Sequence, residues 1–115
     1  EEYNPRDYAA VSYEFLDGEH EFLPGVEHVP TPGHTLGHQS VVLRQESRTV
    51  VLAADAIVLR EVIDGVDGAW RDPASGRRSV QRLVRLAREE DAELLLGHDP
   101  VAWNQLPHAP EVFDR

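Results

Sequence analysis

The sequence predicts an α/β chain, a mixed sheet carrying one long amphipathic helix. Two β-branched runs, His38–Leu43 and Thr49–Ala54, are separated by the five polar residues 44–48 and read as paired, buried strands. From Pro73 to about Glu90, Val80, Leu83, Val84 and Ala87 follow an i, i+3, i+4, i+7 stripe, with arginines largely on the other faces, which is the pattern of an amphipathic helix. A short apolar run, Ala92–Leu96, follows that helix as a third buried strand. With 115 residues, 41% hydrophobic and 28% charged, the chain can build one core and not two.

The remaining elements follow in order. Residues Ser12–Leu16 alternate loosely, Asp17-Gly18 offers a turn and His20–Leu23 resumes, so a hairpin with polar flanks is expected before Pro24-Gly25 turns the chain again. Val26–Val29 is a short strand that runs into Pro30-Thr31-Pro32-Gly33, where two prolines and a glycine end any ladder and impose a tight loop. Between Asp64 and Gly76 the glycines, aspartates and Pro73 mark a long loop. Its one aromatic, Trp70, is either an apolar wall for a ligand or a packing residue beneath the loop. Asp72-Pro73 forms an N-cap and N1 pair for the helix, while Gly76 weakens its first turn. Beyond the third strand, Gly97-His98-Asp99-Pro100 is a loop, and the tail from Val101 is irregular or a short helix.

Charge and composition exclude several functions. Eleven basic residues against 21 acidic ones leave a formal net charge of −10, which opposes phosphate backbones and anionic lipid. No nucleic-acid partner is expected. The longest apolar run, Thr49–Leu59, is broken by Asp55 and falls well short of the ~20 residues a membrane span needs, so no membrane partner is expected either. With no cysteine, any metal must be held by nitrogen and oxygen. The sequence has no methionine and starts Glu1-Glu2-Tyr3, so the native amino terminus is expected to lie upstream. The expected location is the cytoplasm.

Three candidates share one setting: His34 and His98 in loops that follow strands, and Asp55 at the end of an apolar strand. A sheet aims such groups while loops leave them accessible. Two imidazoles and a carboxylate suit zinc or another divalent ion. Taken singly, each also fits a capped loop residue or an Asx turn.

The segments Thr31-Pro32-Gly33-His34-Thr35-Leu36-Gly37-His38, Val50-Val51-Leu52-Ala53-Ala54-Asp55-Ala56 and Leu96-Gly97-His98-Asp99-Pro100 resemble, in order and spacing, the second half of the metallo-β-lactamase fold superfamily. Gly37-His38-Gln39-Ser40 and His98-Asp99-Pro100 look most like the quorum-quenching N-acyl-homoserine lactonases. The resemblance covers roughly residues 10–113. It implies the carboxy-terminal half of an αββα sandwich, with residues 1–115 forming a single partial domain. It also implies two divalent metal ions, zinc by family habit, with His34 on the first, His98 on the second and Asp55 bridging them as the catalytic ligand. His38 and Asp99 would support these ligands from behind. His20, His28 and His108 match nothing in the pattern and read as ordinary surface or core histidines.

The chain departs from the family in two places. The His-x-His-x-Asp-His motif of the family's first half is absent, so the chain is expected to hold metal partially or not at all by itself and to show little hydrolysis alone. Either the missing half or self-association would cover its exposed sheet. Where the lactonases often carry a tyrosine three residues after the bridging Asp, this chain has Val58, and neither Tyr8 nor Tyr13 can be given that role from sequence. The implied activity is metal-dependent hydrolysis of small-molecule lactones or related esters. The alternatives are a thioester hydrolase of the glyoxalase II type and a non-catalytic half-domain serving as a binding or assembly module.

Overall fold

A computed structural model describes residues 9–111; Tyr8 and residues 112–115 lie outside it. Among the described residues, five strands form one mixed sheet in the order β1 (His20–Leu23), β2 (Val26–Pro30), β3 (Gln39–Arg44), β4 (Thr49–Leu52) and β5 (Glu93–Leu95). The first four strands pair antiparallel, and β5 joins β4 in parallel. A parallel neighbour requires a crossover, which here contains α1 (Arg60–Ile63) and the long α2 (Pro73–Glu89). The short α3 (Pro100–Trp103) follows β5.

The mixed sheet and the amphipathic helix are present as the hydrophobic pattern requires. Val80, Leu83 and Ala87 of α2 join Val29, Val42 and Val51 of the sheet in one buried cluster. Register fixes this: Val42 stands opposite Val51, which stands opposite Leu94, so one sheet face presents a continuous apolar row to the helix. On the other face Val41 pairs with Leu52 and Leu43 with Val50. Runs that are apolar on both faces are the pattern of a sheet covered on both sides. At the far end of the sheet, Arg44 clamps Glu90 through Nε and Nη2 at 2.8 and 2.7 Å and reaches Glu27 at 2.6 Å, tying β3 to β2 and to the end of α2.

Several boundaries differ from the sequence expectation. The hairpin does not turn at Asp17-Gly18: residues 12–16 form no strand, and His20–Leu23 pairs instead with β2 across Pro24-Gly25. Gly25 has φ +76, and a Cβ there would lie 2.5 Å from the Arg44 carbonyl oxygen, so this turn can be closed only by glycine. The β3 strand starts at Gln39, leaving His38 in the loop rather than in the strand. The β4 strand ends at Leu52, because Ala54–Ala56 turns into a single 3-10 turn with Ala54 at φ +48. The expected long loop starts at Asp64 as read and is shorter only at its far end, where it stops at Asp72. It is preceded by α1, which the sequence reading missed, and closed at Pro73, where Asp72 Oδ1 caps the amides of Ala74 and Ser75. The third strand is trimmed to Glu93–Leu95, and the tail from Val101 continues α3 for one turn.

Candidate functional site

Three loops at one end of the sheet carry His34, Asp55 and His98, and each is held by specific backbone contacts. The loop between β2 and β3 lies against the first turn of α2. Gly33 has φ +145, and a Cβ on it would come within 2.4 Å of Gly76 Cα, so both positions need glycine for the loop to lie this close. The Gly33 carbonyl accepts from the amides of Arg71 and Asp72 at 2.8 and 3.0 Å. Ser79 Oγ donates to the Pro32 carbonyl at 2.7 Å, and Arg82 Nη1 donates to that of Pro30 at 2.9 Å. The helix therefore orders the backbone on which His34 stands.

His34 Nδ1 lies 2.6 Å from the Ala69 carbonyl oxygen, which can only accept, so Nδ1 donates there and, in the neutral ring, Nε2 carries the lone pair. That Nε2 faces Asp55 Oδ2 at 3.9 Å. Asp55 follows Ala54, whose left-handed backbone is a strained conformation for a residue with a Cβ and turns the carboxylate out of the sheet. The segment is pinned on both sides: Ser40 Oγ donates to the Ala53 carbonyl at 3.1 Å and Trp70 Nε1 to that of Ala56 at 3.1 Å. The amides of Gly97 and His98 donate to the carbonyls of Ile57 and Val58, which brings His98 alongside. His98 Nε2 then meets Asp55 Oδ1 at 2.8 Å. One carboxylate thus presents one oxygen to each histidine, and its side chain is 39% exposed, open to a ligand.

The donor set is chemically right for a divalent ion and incomplete in number. Imidazole nitrogen and carboxylate oxygen are ordinary zinc ligands. Among the described residues no group of three or more His, Asp or Glu side chains converges to hold an ion. Each histidine has a separate oxygen of Asp55, giving two half-sites with one nitrogen and one oxygen apiece.

The other sequence candidates fall around this group in different ways. His38 is half-buried in the same loop, its ring 6.1 Å from that of His34, with Nδ1 at 2.8 Å from Thr31 Oγ1. Burial, partly offset by the hydrogen bond from the ring to the Thr31 backbone carbonyl at 3.1 Å, lowers its pKa and favours the neutral ring. Asp99 points away from the histidines: Oδ1 caps the amides of Val101 and Ala102, both at 2.9 Å, and Oδ2 accepts from the Arg60 amide. These amides, that of Ala102 first, hold its carboxyl below the ordinary range. Trp70 packs beneath its loop over Gly76, the second of its two sequence readings. Val58 packs against the core and offers no hydroxyl. His20 and His28 face each other across β1 and β2, and His108 stacks on Trp103 at 4.6 Å; none joins the group. Thr31 and Ser40, both fully buried, were missed as site residues, although a serine inside a β-branched run is a visible anomaly.

Residues 3–98 match the family model described as the metallo-beta-lactamase superfamily. Among curated proteins, the chain is 36% identical over 91 residues to the N-acyl homoserine lactonase AiiA of Bacillus thuringiensis subsp. kurstaki, a match that covers 77% of this chain and 36% of that protein. It is 29% identical over 116 residues to the N-acyl homoserine lactonase AttM of Rhizobium johnstonii, covering 93% and 44%. Among solved structures, an N-acyl homoserine lactone hydrolase with the product N-hexanoyl-L-homoserine bound at its catalytic metal centre superposes with a TM-score of 0.84 at 32% identity, covering 90% of this chain and 42% of that one. The chain therefore spans between a third and a half of the length of these relatives.

Proposed function

The chain belongs to the metallo-beta-lactamase superfamily, and from that membership we propose that it supplies part of the active site of a metal-dependent hydrolase acting on lactones, N-acyl homoserine lactones first among them. The observation that carries this reading is Asp55 set between two histidines, one oxygen to each, at loops that follow strands. The names of the lactonase relatives support the substrate class.

In this reading His34 and Asp55 would hold one divalent ion, and His98 and Asp55 a second, the ion taking the place of the proton that His98 Nε2 shares with the carboxylate. The bound ions would supply acidified water and polarisation of the carbonyl. The chain's own contribution is positional. Ala69 holds the His34 proton on Nδ1 and so keeps the Nε2 lone pair pointed at Asp55. The Ile57 and Val58 carbonyls hold the His98 loop at the distance where its ring reaches the same carboxylate. One nitrogen and one oxygen per ion are too few for tight binding, so the remaining ligands are assigned to the rest of the protein and weak metal binding to this chain alone. Val58 provides no hydroxyl for the lactone oxyanion, so that donor too must come from elsewhere.

The test is a substrate panel on the complete protein. Metal-dependent ring opening of N-hexanoyl homoserine lactone, lost on chelation and restored by a divalent ion, is expected. Turnover of thioesters without lactones would replace the substrate class, and a complete protein that holds no metal and hydrolyses neither would leave the binding-module reading.

A further inference from the structure

Between the His34 loop and the Asp55 turn runs a buried chain of hydrogen bonds whose direction is fixed. The Ala53 carbonyl oxygen can only accept, so Ser40 Oγ spends its single proton there, at 3.1 Å. Ser40 Oγ must then accept from Thr31 Oγ1, which lies 2.8 Å away. Thr31 has now spent its own proton, and its hydroxyl oxygen accepts from His38 Nδ1 at 2.8 Å, a donor that also leans on the Thr31 carbonyl at 3.1 Å. One end of the chain thus dictates the other, and His38 is the Nδ1–H tautomer. Thr31 and Ser40 have no exposed surface, so no water can substitute for a missing link.

The placement of these residues is what gives the chain a role. Thr31 lies three positions before His34 and its amide donates to the His38 carbonyl at 2.9 Å, closing the base of the loop that carries His34. Ala53 lies two positions before Asp55, at the entrance to its strained turn. The two hydroxyls are the side-chain link between the base of one loop and the start of the other, across β3. We propose that Thr31 and Ser40 are positioning residues that set the His34–Asp55 separation by a proton-ordered relay from His38 to the Ala53 carbonyl. The inference rests on the metal-site reading for its functional consequence, though not for its geometry.

The complete protein and its Thr31→Val and Thr31→Ser variants test this. Valine keeps the shape and removes both the acceptor and the donor, whereas serine keeps both. Expected for Thr31→Val is an affinity for Zn²⁺ or Co²⁺ lowered by about 10–100-fold in competition with a chelator, the range for groups that orient metal ligands. The nitrogen NMR shift of His38 Nδ1 should also move as its proton falls back on the Thr31 carbonyl alone, and amide exchange should speed up at Ala56, whose amide donates to the Ala53 carbonyl at 3.2 Å. Thr31→Ser should stay within about threefold of the parent on all three, since it keeps every hydrogen bond of the relay. Full metal affinity and unchanged Ala56 exchange in a folded Thr31→Val protein, with only a lower melting temperature, would overturn the proposal and leave Thr31 a packing residue. If the parent protein binds no metal, the metal-site reading fails instead; the His38 Nδ1 shift and the Ala56 exchange then decide the relay by themselves.

Discussion

His98 Nε2 stands 2.8 Å from Asp55 Oδ1 although 43 positions separate the two residues. The contact follows from parallel pairing of β4 with β5: Leu52 registers with Leu95, so the loops that leave the two strands emerge side by side at the same end of the sheet. The imidazole is brought to the carboxylate by the crossover through α2, a pairing that no local spacing encodes.

In the proposed metal site both ions depend on Asp55, the residue shared by His34 and His98. In the complete protein, Asp55→Asn should keep the fold and lower divalent-metal affinity by at least about 100-fold, more than loss of an orienting group costs. Metal analysis after dialysis against a chelator measures this. An Asp55→Asn protein that retains its metal would place the ligands elsewhere.

Among the described glycines, Gly76 leaves the least room for a side chain. An added Cβ would sit 2.3 Å from Trp70 Cδ2, with the indole already fixed by its bond to the Ala56 carbonyl. Gly76→Ala should cost about 1–3 kcal/mol of stability, the usual price of overpacking. Urea unfolding gives the value, and a change below roughly 0.5 kcal/mol, the scale of an ordinary surface substitution, would show that Trp70 moves freely.

The Arg44 clamp predicts an acid-sensitive step. Arg44 hydrogen bonds hold the Glu90 carboxyl below its ordinary value, so the folded state binds its proton more weakly than the unfolded state does. The associated stability is present above the ordinary glutamate range and is lost as pH falls through the lowered folded value. Both side chains are about a third exposed, at 38% and 30%, and solvent screening limits the term to roughly 0.5 kcal/mol. Denaturant titrations at pH 7 and near pH 3 should show Glu90→Gln losing that difference; an identical pH dependence in parent and variant would assign the acid sensitivity to other carboxylates.

Local spacing carries the main strands, the long helix and the three candidate ligand positions, but neither α1 nor the strand-free course of residues 12–16. Periodicity of 3.6 in Val80, Leu83 and Ala87 and unbroken apolar runs at β3 and β4 are local signals, because burial of one face writes directly into residue spacing. The places of His34, Asp55 and His98 were legible because each follows an apolar run, two of them beside glycine or proline. The tertiary structure alone decided what long-range contact sets. It moved the hairpin to Pro24-Gly25, where the turn must clear the Arg44 carbonyl. It turned Asp99 into a cap for α3 that also holds the Arg60 amide, and packed Trp70 on Gly76. It also assembled the Thr31–Ser40 relay and fixed the His34 tautomer through Ala69, 35 residues away. Hydrogen bonds to a backbone carbonyl carry no residue-type signature at the accepting position, so only the folded chain reveals which carbonyl a ring or hydroxyl meets.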